Sequence, residues 1–303
     1  MMPTRVDILM CTFRRPMVAD AIAALARLRD VDDLALRLVV ADNDDTDSAR
    51  RIVEQAAGAL PFDWLYLHAP ARNISIARNA CLDAATAGGA HWIASIDDDE
   101  IADPDWLAEL LAAVRTGDAD CAIGKVVADY PDGTPGWVRQ LDHHSSFPER
   151  EKIPTADSGN AILRWKDTPW QAQRYDPARG TVGGEDTEFF LRLGRMGMRR
   201  IAAPRARVSE AVPPARQTLD WLASRRFRMG RTHAITAATA TQRMRLLCTA
   251  SAKAAYCRMQ ERRHAGDEAR RNFWFLRGQL HRGVVAELTT RRPQPRLYGD
   301  DPV

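Results

Sequence analysis

The sequence predicts an α/β fold: a mostly parallel central sheet with helices on both faces, followed by a basic helical C-terminal region. Two observations predict the sheet. Apolar runs alternate with Ala/Leu-rich stretches four times between Arg5 and Arg115, the rhythm of strands joined by crossover helices. Three of those runs also stop abruptly at polar clusters, and in open parallel sheets such strand ends gather on one edge, where ligands bind. The third observation is charge. The net charge of the 303 residues is only +3, yet residues 215–303 carry 18 Lys and Arg against 7 Asp and Glu. Residues 1–214 carry 25 against 33. An acidic body (1–214) and a basic helical region (215–303) are therefore expected to have different partners.

The elements follow in order. Arg5–Thr12 reads as a buried strand, and Pro16 opens a helix to about Arg29, proline being tolerated in a first turn. Leu36–Ala41 is a second strand, ending at Asp42-Asn43-Asp44-Asp45, and a helix from Asp47 to Ala57 follows. Trp64–Leu67 is a short strand. Ser75–Ala87 is a helix stopped by Gly88-Gly89. His91–Ile96 is a strand that runs into Asp97-Asp98-Asp99-Glu100, and Asp103-Pro104 starts the next helix. From Tyr130 to Thr155 the pattern dissolves into a long loop containing Trp137 and Phe147, the kind of segment that is usually functional or mobile. Order returns at Gly159–Leu163, in a helix over Glu185–Met196, and in short strands at Ile201–Ala203 and Arg207–Ser209.

Composition sets limits. At 45% hydrophobic the chain can bury a full core, while no run reaches the about 18 apolar residues that a membrane span requires. The apolar stretch near the N-terminus is too short and too soon broken by charge for a secretory leader. Five cysteines without a Cys-x-x-Cys pair read as reduced packing thiols of a cytoplasmic protein.

Asp97-Asp98-Asp99-Glu100 places four carboxylates at a strand end, where they repel one another. A solvated turn capping the next helix is one reading. A divalent cation is the other: Mg²⁺ or Mn²⁺ takes one or two carboxylates and completes its shell with water and phosphate oxygens. Asp97 and Asp99, two apart, would share one face of an extended segment. The position at a sheet's carboxyl edge favours the cation.

At this point the sequence resembles the family 2 glycosyltransferases, whose GT-A fold carries an Asp-x-Asp motif here. Cys11-Thr12-Phe13-Arg14-Arg15-Pro16 is similar to the family's opening Cys-Thr-Tyr-Asn-Arg-Pro, and Val40-Ala41-Asp42-Asn43 to its second-strand Asp. Arg72–Asn79 resembles the segment before its third helix, and Gly183-Gly184-Glu185-Asp186-Thr187 its Glu-Asp motif. The likeness runs in order over residues 5–212.

By that resemblance, Thr12 and Arg14 lie beside the nucleobase, Asp42 reads base or ribose, and Arg78 lies near the nucleotide. Asp97 contacts ribose, Asp98 belongs to the donor site, and Asp99 holds the metal. Glu210 stands where many relatives have a metal-approaching His, and a carboxylate keeps hard oxygen character. Asp186 is the expected base for a single inverting displacement, with Gly184 and Glu185 on the sugar side. Gly159 and Asn160 resemble the segment lining donor sugar and acceptor. Trp137, Trp165 and Trp170 are candidates for stacking on a sugar or for plain core packing. For Thr12, Asp42, Arg78 and Glu185-Asp186 the structural alternatives are a helix cap, an Asx turn, an ion pair and favourable charge at a helix start.

The acidic motif, the Glu-Asp motif and the arginine-rich segment Arg225–Arg231 with the Tyr298-Gly299 ending most resemble the bacterial exopolysaccharide subgroup, of succinoglycan glucosyltransferase type. That implies a UDP-sugar donor, glucose by subgroup, a saccharide acceptor that is lipid-linked in such enzymes, and a β-linkage. It also implies a cytoplasmic protein, with the basic region and Phe273, Trp274 and Phe275 at the anionic inner membrane surface. The alternative to membrane docking is a solvated helical region packing on the body. Competing classes are a polyanion-binding module, a nucleotide-sugar binder without transfer, and a nucleotidyltransferase. The first lacks aromatics alternating with basic residues, so no nucleic-acid partner is expected. The second leaves Asp99 and Asp186 without a purpose. The third lacks a Gly-rich loop with lysine after the first strand.

Overall fold

The computed structural model describes residues 3–146 and 158–290, which form two compact units: 3–127 with 145–146 and 158–210, and 128–144 with 211–290. Phe147 and Tyr298-Gly299 lie outside the described residues.

The first unit is built on an eight-stranded sheet. In chain order its elements are β1 (Thr4–Thr12), α1 (Val18–Leu25), β2 (Leu34–Asp42), α2 (Arg50–Ala57), β3 (Asp63–His68), α3 (Ile74–Ala87), β4 (Trp92–Ile96), β5 (Glu100–Ala102) and α4 (Trp106–Thr116). Then come β6 (Cys121–Asp129), which runs to the unit boundary, α5 (Gly136–Leu141) of the second unit, β7 (Asn160–Arg164), α6 (Glu185–Arg195) and β8 (Arg200–Ala211). The strand order is β3-β2-β1-β4-β7-β6-β8-β5. β1 to β4 are parallel, as the alternation predicts, whereas β7 pairs antiparallel with both β4 and β6, and β5 with β8.

β1 shows how the layers arise. Val6, Ile8 and Met10 point to one face and join Ile22, Leu25, Leu107 and Leu110 from α1 and α4. Leu9 points to the other and joins Cys81 and Ala85 of α3 and Phe189 and Leu193 of α6. The alternation carries one buried charge: Asp7 has no exposed surface and pairs with Arg37, its neighbour in register on β2. Arg37 also donates to the Ala84 carbonyl in the last turn of α3 (2.8 Å), so the charge is met on both sides.

The two short strands expected after Ile201 form one strand, β8, of 12 residues. Trp165 and Trp170 are core residues whose indole N–H groups donate to Thr86 Oγ1 (3.0 Å) and the Arg164 carbonyl (2.7 Å), so packing is their role. All five cysteines are free thiols.

The second unit is helical: α5, α7 (Leu219–His233), α8 (Ala240–Arg263) and α9 (Glu268–Thr289). α9 packs against both α7 and α8, while α8 starts on a Thr239/Gln242 capping box and buries only Ala250 and Cys257. α5 falls within the stretch that the sequence reads as loop, because a proline at its N-cap starts a helix only six residues long. Among the described residues, no helix is long and apolar enough to cross a membrane.

Candidate active site

Four strand ends and the start of α6 build the site, all within the first unit. At the end of β1, Thr12 is buried and its hydroxyl lies beside Asp98. Arg14 adopts a positive φ of 54°, a conformation that costs a non-glycine residue, and its Nε donates to Asp44 Oδ1 at 2.9 Å. Arg15 turns the other way. One of its terminal nitrogens donates to Asp98 Oδ1 (2.9 Å) and to Asp99 Oδ2 (2.7 Å).

At the end of β2, Asp42, Asn43 and Asp44 are all buried. Asp42 accepts from the Ala49 N–H (2.9 Å), the Asp44 N–H (3.1 Å) and the Tyr66 hydroxyl (2.7 Å), so its carboxylate organises the turn into α2. Burial pushes the Asp44 carboxyl upward, but Ser48, the Asp45 N–H and Arg14 outweigh that and hold it below the usual range.

α3 begins at Asn73, which caps the Ser75 and Ile76 N–H groups (3.1 and 3.4 Å). The same turn fastens a strap. Asn73 Nδ2 donates to the Pro177 carbonyl (2.9 Å), Ser75 Oγ to Asp176 O (2.9 Å), and Asn79 exchanges two bonds with the Tyr175 backbone (2.9 and 2.7 Å). One turn further, Arg78 pairs with Glu185 (2.6 Å) and lies 3.9 Å from Asp97, over the Tyr175 ring. Burial works to lower the Arg78 pKa, but Glu185, Tyr175, Asp97 and Asp186 reverse it, so the guanidinium stays charged.

The acidic run ends β4 and enters β5. Glu100 turns back and accepts from the Asp97 N–H (3.1 Å), while its strand pairs with β8 so that Glu100 faces Glu210. Burial is the largest cause raising Asp97, Asp98 and Glu100; Asp98 reaches about 6 although Arg15 opposes it. Gly159, before β7, runs against this cluster. A Cβ there would stand 2.9 Å from Asp97 Oδ2 and 3.1 Å from Glu100 Oε1, so any side chain would have to displace a carboxylate. Asn160 is spent within the fold. Its Oδ1 accepts from the Trp106 indole (2.8 Å) and its Nδ2 donates to the Lys125 and Ala206 carbonyls (3.1 and 3.2 Å), tying α4, β6 and β8 together.

α6 supplies the last part. Gly183 and Gly184 have φ of 90° and 83°, two successive left-handed residues that only glycine adopts cheaply. They turn the chain so that Glu185 meets Arg78 and Asp186 stands in the first helical turn, its Oδ1 accepting from the Thr187 N–H at 2.6 Å.

Arg78 thus joins the Asp-x-Asp segment to the Glu-Asp segment, whose Glu185 lies 107 residues beyond Arg78 in the chain. Arg15, Arg14 and Asp44 extend the network to β2. Trp137 is half-buried on α5 and belongs to the second unit. Sequence reasoning gave no role to Arg15 or Asp44, and it named Glu100 only as part of the acidic run. Arg15 lies inside a motif quoted for its neighbour, and nothing local distinguishes two adjacent arginines.

Three buried polar atoms here lack a hydrogen-bond partner: Thr12 Oγ1, Asp98 Oδ2 and Ser158 Oγ. Ser158, Arg78, Asp97 and Tyr175 line one recess beside Cys11 and Cys81. Among the described residues no three His, Cys, Asp or Glu side chains come together as a complete metal cage. Oxygen-only donors with an orphaned carboxylate oxygen fit a hard cation that takes its other ligands from a bound phosphate.

A parallel β1–β4 edge lined with carboxylates and arginines, closed by antiparallel β7 and β6 and an acidic helix start, defines a glycosyltransferase of the GT-A fold. The chain belongs to glycosyltransferase family 2, the family whose profile, "Glycosyl transferase family 2", matches residues 7–168. It is 40% identical over 288 residues to "Succinoglycan biosynthesis protein ExoM" of Rhizobium meliloti (strain 1021), covering 93% of this chain and 92% of that one. It also resembles the mannosyltransferase PcManGT from Pyrobaculum calidifontis, solved with GDP-Man and Mn²⁺. The TM-score is 0.61 at 17% identity over 96% of this chain and 88% of that one. S. aureus TarS matches with a TM-score of 0.51 at 14% identity over 75% of this chain, which spans 40% of TarS. At these identities the two structures show the shared fold.

Proposed function

We propose that this glycosyltransferase moves a hexose, glucose by its exopolysaccharide likeness, from a UDP-sugar to a hydroxyl of a saccharide or lipid-linked saccharide. The reaction inverts, yielding a β-linkage, and serves exopolysaccharide biosynthesis at the cytoplasmic face of the membrane. One observation carries the reading: Arg78 bridges Asp97 and Glu185, and so brings the leaving-group segment and the base-bearing segment to one place.

Thr12, Arg14 and Asp42 flank the nucleobase side, with Asp42 acting through the turn that it organises. Asp97 and Asp98 face ribose and diphosphate, and Arg78 adds a fixed positive charge beside them. Asp99 would hold Mn²⁺ or Mg²⁺, with Glu210 as an accessory carboxylate; a bound divalent ion stabilises charge growing on the departing nucleotide diphosphate. Asp186 takes the proton of the acceptor hydroxyl as that oxygen bonds to the anomeric carbon and the bond to diphosphate breaks. The Thr187 N–H fixes the carboxylate's orientation for that task. Gly159 and Gly184 leave room for the sugar, and Glu185 and Asn160 are assigned to the sugar and acceptor side, Asn160 by rigidifying β7; Trp137, on the second unit, is left out of this site. Support for an anionic-membrane contact lies on α8, where Met244, Tyr256 and Met259 are exposed among arginines, rather than on Phe273, Trp274 and Phe275, which are half-buried.

The test is Asp186→Asn assayed with UDP-glucose and saccharide acceptors. Transfer should fall on the order of 10²–10⁴-fold while UDP binding, measured calorimetrically, is kept. Transfer near wild type in that variant, or full activity in excess chelator, would remove the mechanism.

A further inference from the structure

The second unit has a groove that the transfer reaction does not use. α8 and α9, joined across residues 264–267, pack as a helical hairpin in which a Cβ at Gly278 would stand 3.4 Å from that of Cys257. Gly278 also lines a groove of about 470 Å³ between the two helices, within the roughly 300–1,000 Å³ of small-ligand sites. Ala254 and Phe275 give it apolar walls, and Arg258, Glu261 and Arg282 give it charge. Both arginines are exposed, and among the described residues neither pairs with a carboxylate. The ion pairs made at α9 run elsewhere, from Arg231 to Glu287 and from Arg270 to Asp267.

The groove adjoins the apolar ridge of α8. Ala255 lines it and is exposed, and Met259, one turn on, is 55% exposed; Met244, on the same face, is 61% exposed. Charge then chooses the occupant. α8 carries six Lys and Arg against Glu261 alone. A second copy of this chain would bring like charge to like. A free polyanion would leave Met244 and Met259 in water. An anionic amphiphile answers both, its phosphate meeting the guanidiniums and its chains the methionines.

We propose that the α8–α9 groove seats the headgroup of an anionic phospholipid, with Arg258 and Arg282 on the phosphate and Met244 and Met259 in the acyl boundary. Glu261 accepts from a hydroxyl of a glycerol headgroup. Such a seat rests on the reading that places this enzyme at the cytoplasmic face of the membrane, and it adds the lipid class and the side chains that recognise it.

The full-length chain is floated with vesicles of phosphatidylcholine, alone or with one quarter phosphatidylglycerol, and its partition onto each is measured. The wild type should bind the anionic vesicles at least tenfold more tightly; equal binding to both overturns the anionic seat. Arg243→Gln/Arg263→Gln removes two exposed charges of α8 outside the groove and measures the general attraction of a basic helix. Arg258→Gln/Arg282→Gln should lose at least tenfold more than that control. Equal losses in the two variants overturn the groove while the membrane location stands, whereas a wild type that floats with neither vesicle removes both. Transfer from UDP-glucose to a soluble saccharide should stay within twofold in Arg258→Gln/Arg282→Gln. A parallel loss of transfer would place these arginines in the transfer machinery and end the claim of a separate lipid seat.

Discussion

The two units concentrate charge of opposite sign and manage it differently. Along the carboxyl edge of the sheet, Arg14, Arg15 and Arg78 stand among Asp44, Asp97, Asp98, Asp99 and Glu185, so most of the acidity is neutralised internally. On α7 the arginines lean on neutral histidines, which accept a hydrogen bond but return no charge. The first arrangement is a nearly balanced network with a few orphaned oxygens. In the second, Asp142 is the carboxylate that acts on both histidines, His143 and His144, against Arg225 and Arg226. One region is therefore closed by its own ion pairs, while the other relies on uncharged partners.

The comparison is broken most forcefully at Arg78. Its side chain is 15% exposed, and removing it strands Glu185 and leaves Asp97 with Arg15 as its remaining opposing charge. Arg78→Gln should cost about 3–5 kcal/mol of stability in urea unfolding, the usual penalty for halving a buried pair. A loss below 1 kcal/mol would mean that the acidic edge does not depend on its internal cations.

A smaller effect is expected from the histidines, and its sign differs from that of Asp98. For His143 and His144 the folded pKa lies below the unfolded value, so the unfolded chain binds the extra protons between pH 6.5 and 4. Stability from this source is full above pH 6.5 and is lost as pH falls toward 4. Asp98 works oppositely: its folded pKa of about 6 lies above the unfolded value, so it weakens the fold as pH rises from 4 to 6. Allowing for partial exposure of His143, the wild type should lose on the order of 1–3 kcal/mol relative to a His143→Gln/His144→Gln variant over that window. Parallel pH profiles for the two proteins would refute the buried neutral tautomers.

The smallest effect concerns backbone. Gly184 holds φ at 83°, and Gly184→Ala should cost about 1–2 kcal/mol with a matching fall in transfer if α6 then shifts Asp186. Arg205→Ala, which opens an exposed pair with Glu109, serves as the control and should change stability by less than about 1 kcal/mol.

Much of this molecule was legible in sequence because its signals are local. Alternating apolar runs give β1 to β4, and Gly88-Gly89 ends α3 where expected. The polar clusters could be placed on one edge because a parallel sheet leaves them no other. What stayed hidden is pairwise and long-range. That Arg15 rather than Arg14 meets Asp98 and Asp99 depends on a positive φ at residue 14, which a sequence does not announce. Asn160 resembled a sugar-lining residue, yet its amide is consumed by Trp106, Lys125 and Ala206, three partners far apart in the chain. His143 and His144 drew no attention inside a stretch that reads as loop.

The strap over residues 175–177 couples two helices. It is fastened to the first turns of α3 by hydrogen bonds from Asn73, Ser75 and Asn79, and it leads directly into the glycine pair before Asp186. Tyr175, by contrast, is buried and stacks on Phe189 with 4.1 Å between centroids, so the strap is stitched by polar bonds on one side and rooted in the apolar layer on the other. The hydrogen bonds set its direction and the ring sets its depth, and the start of α6 thereby inherits the position of α3.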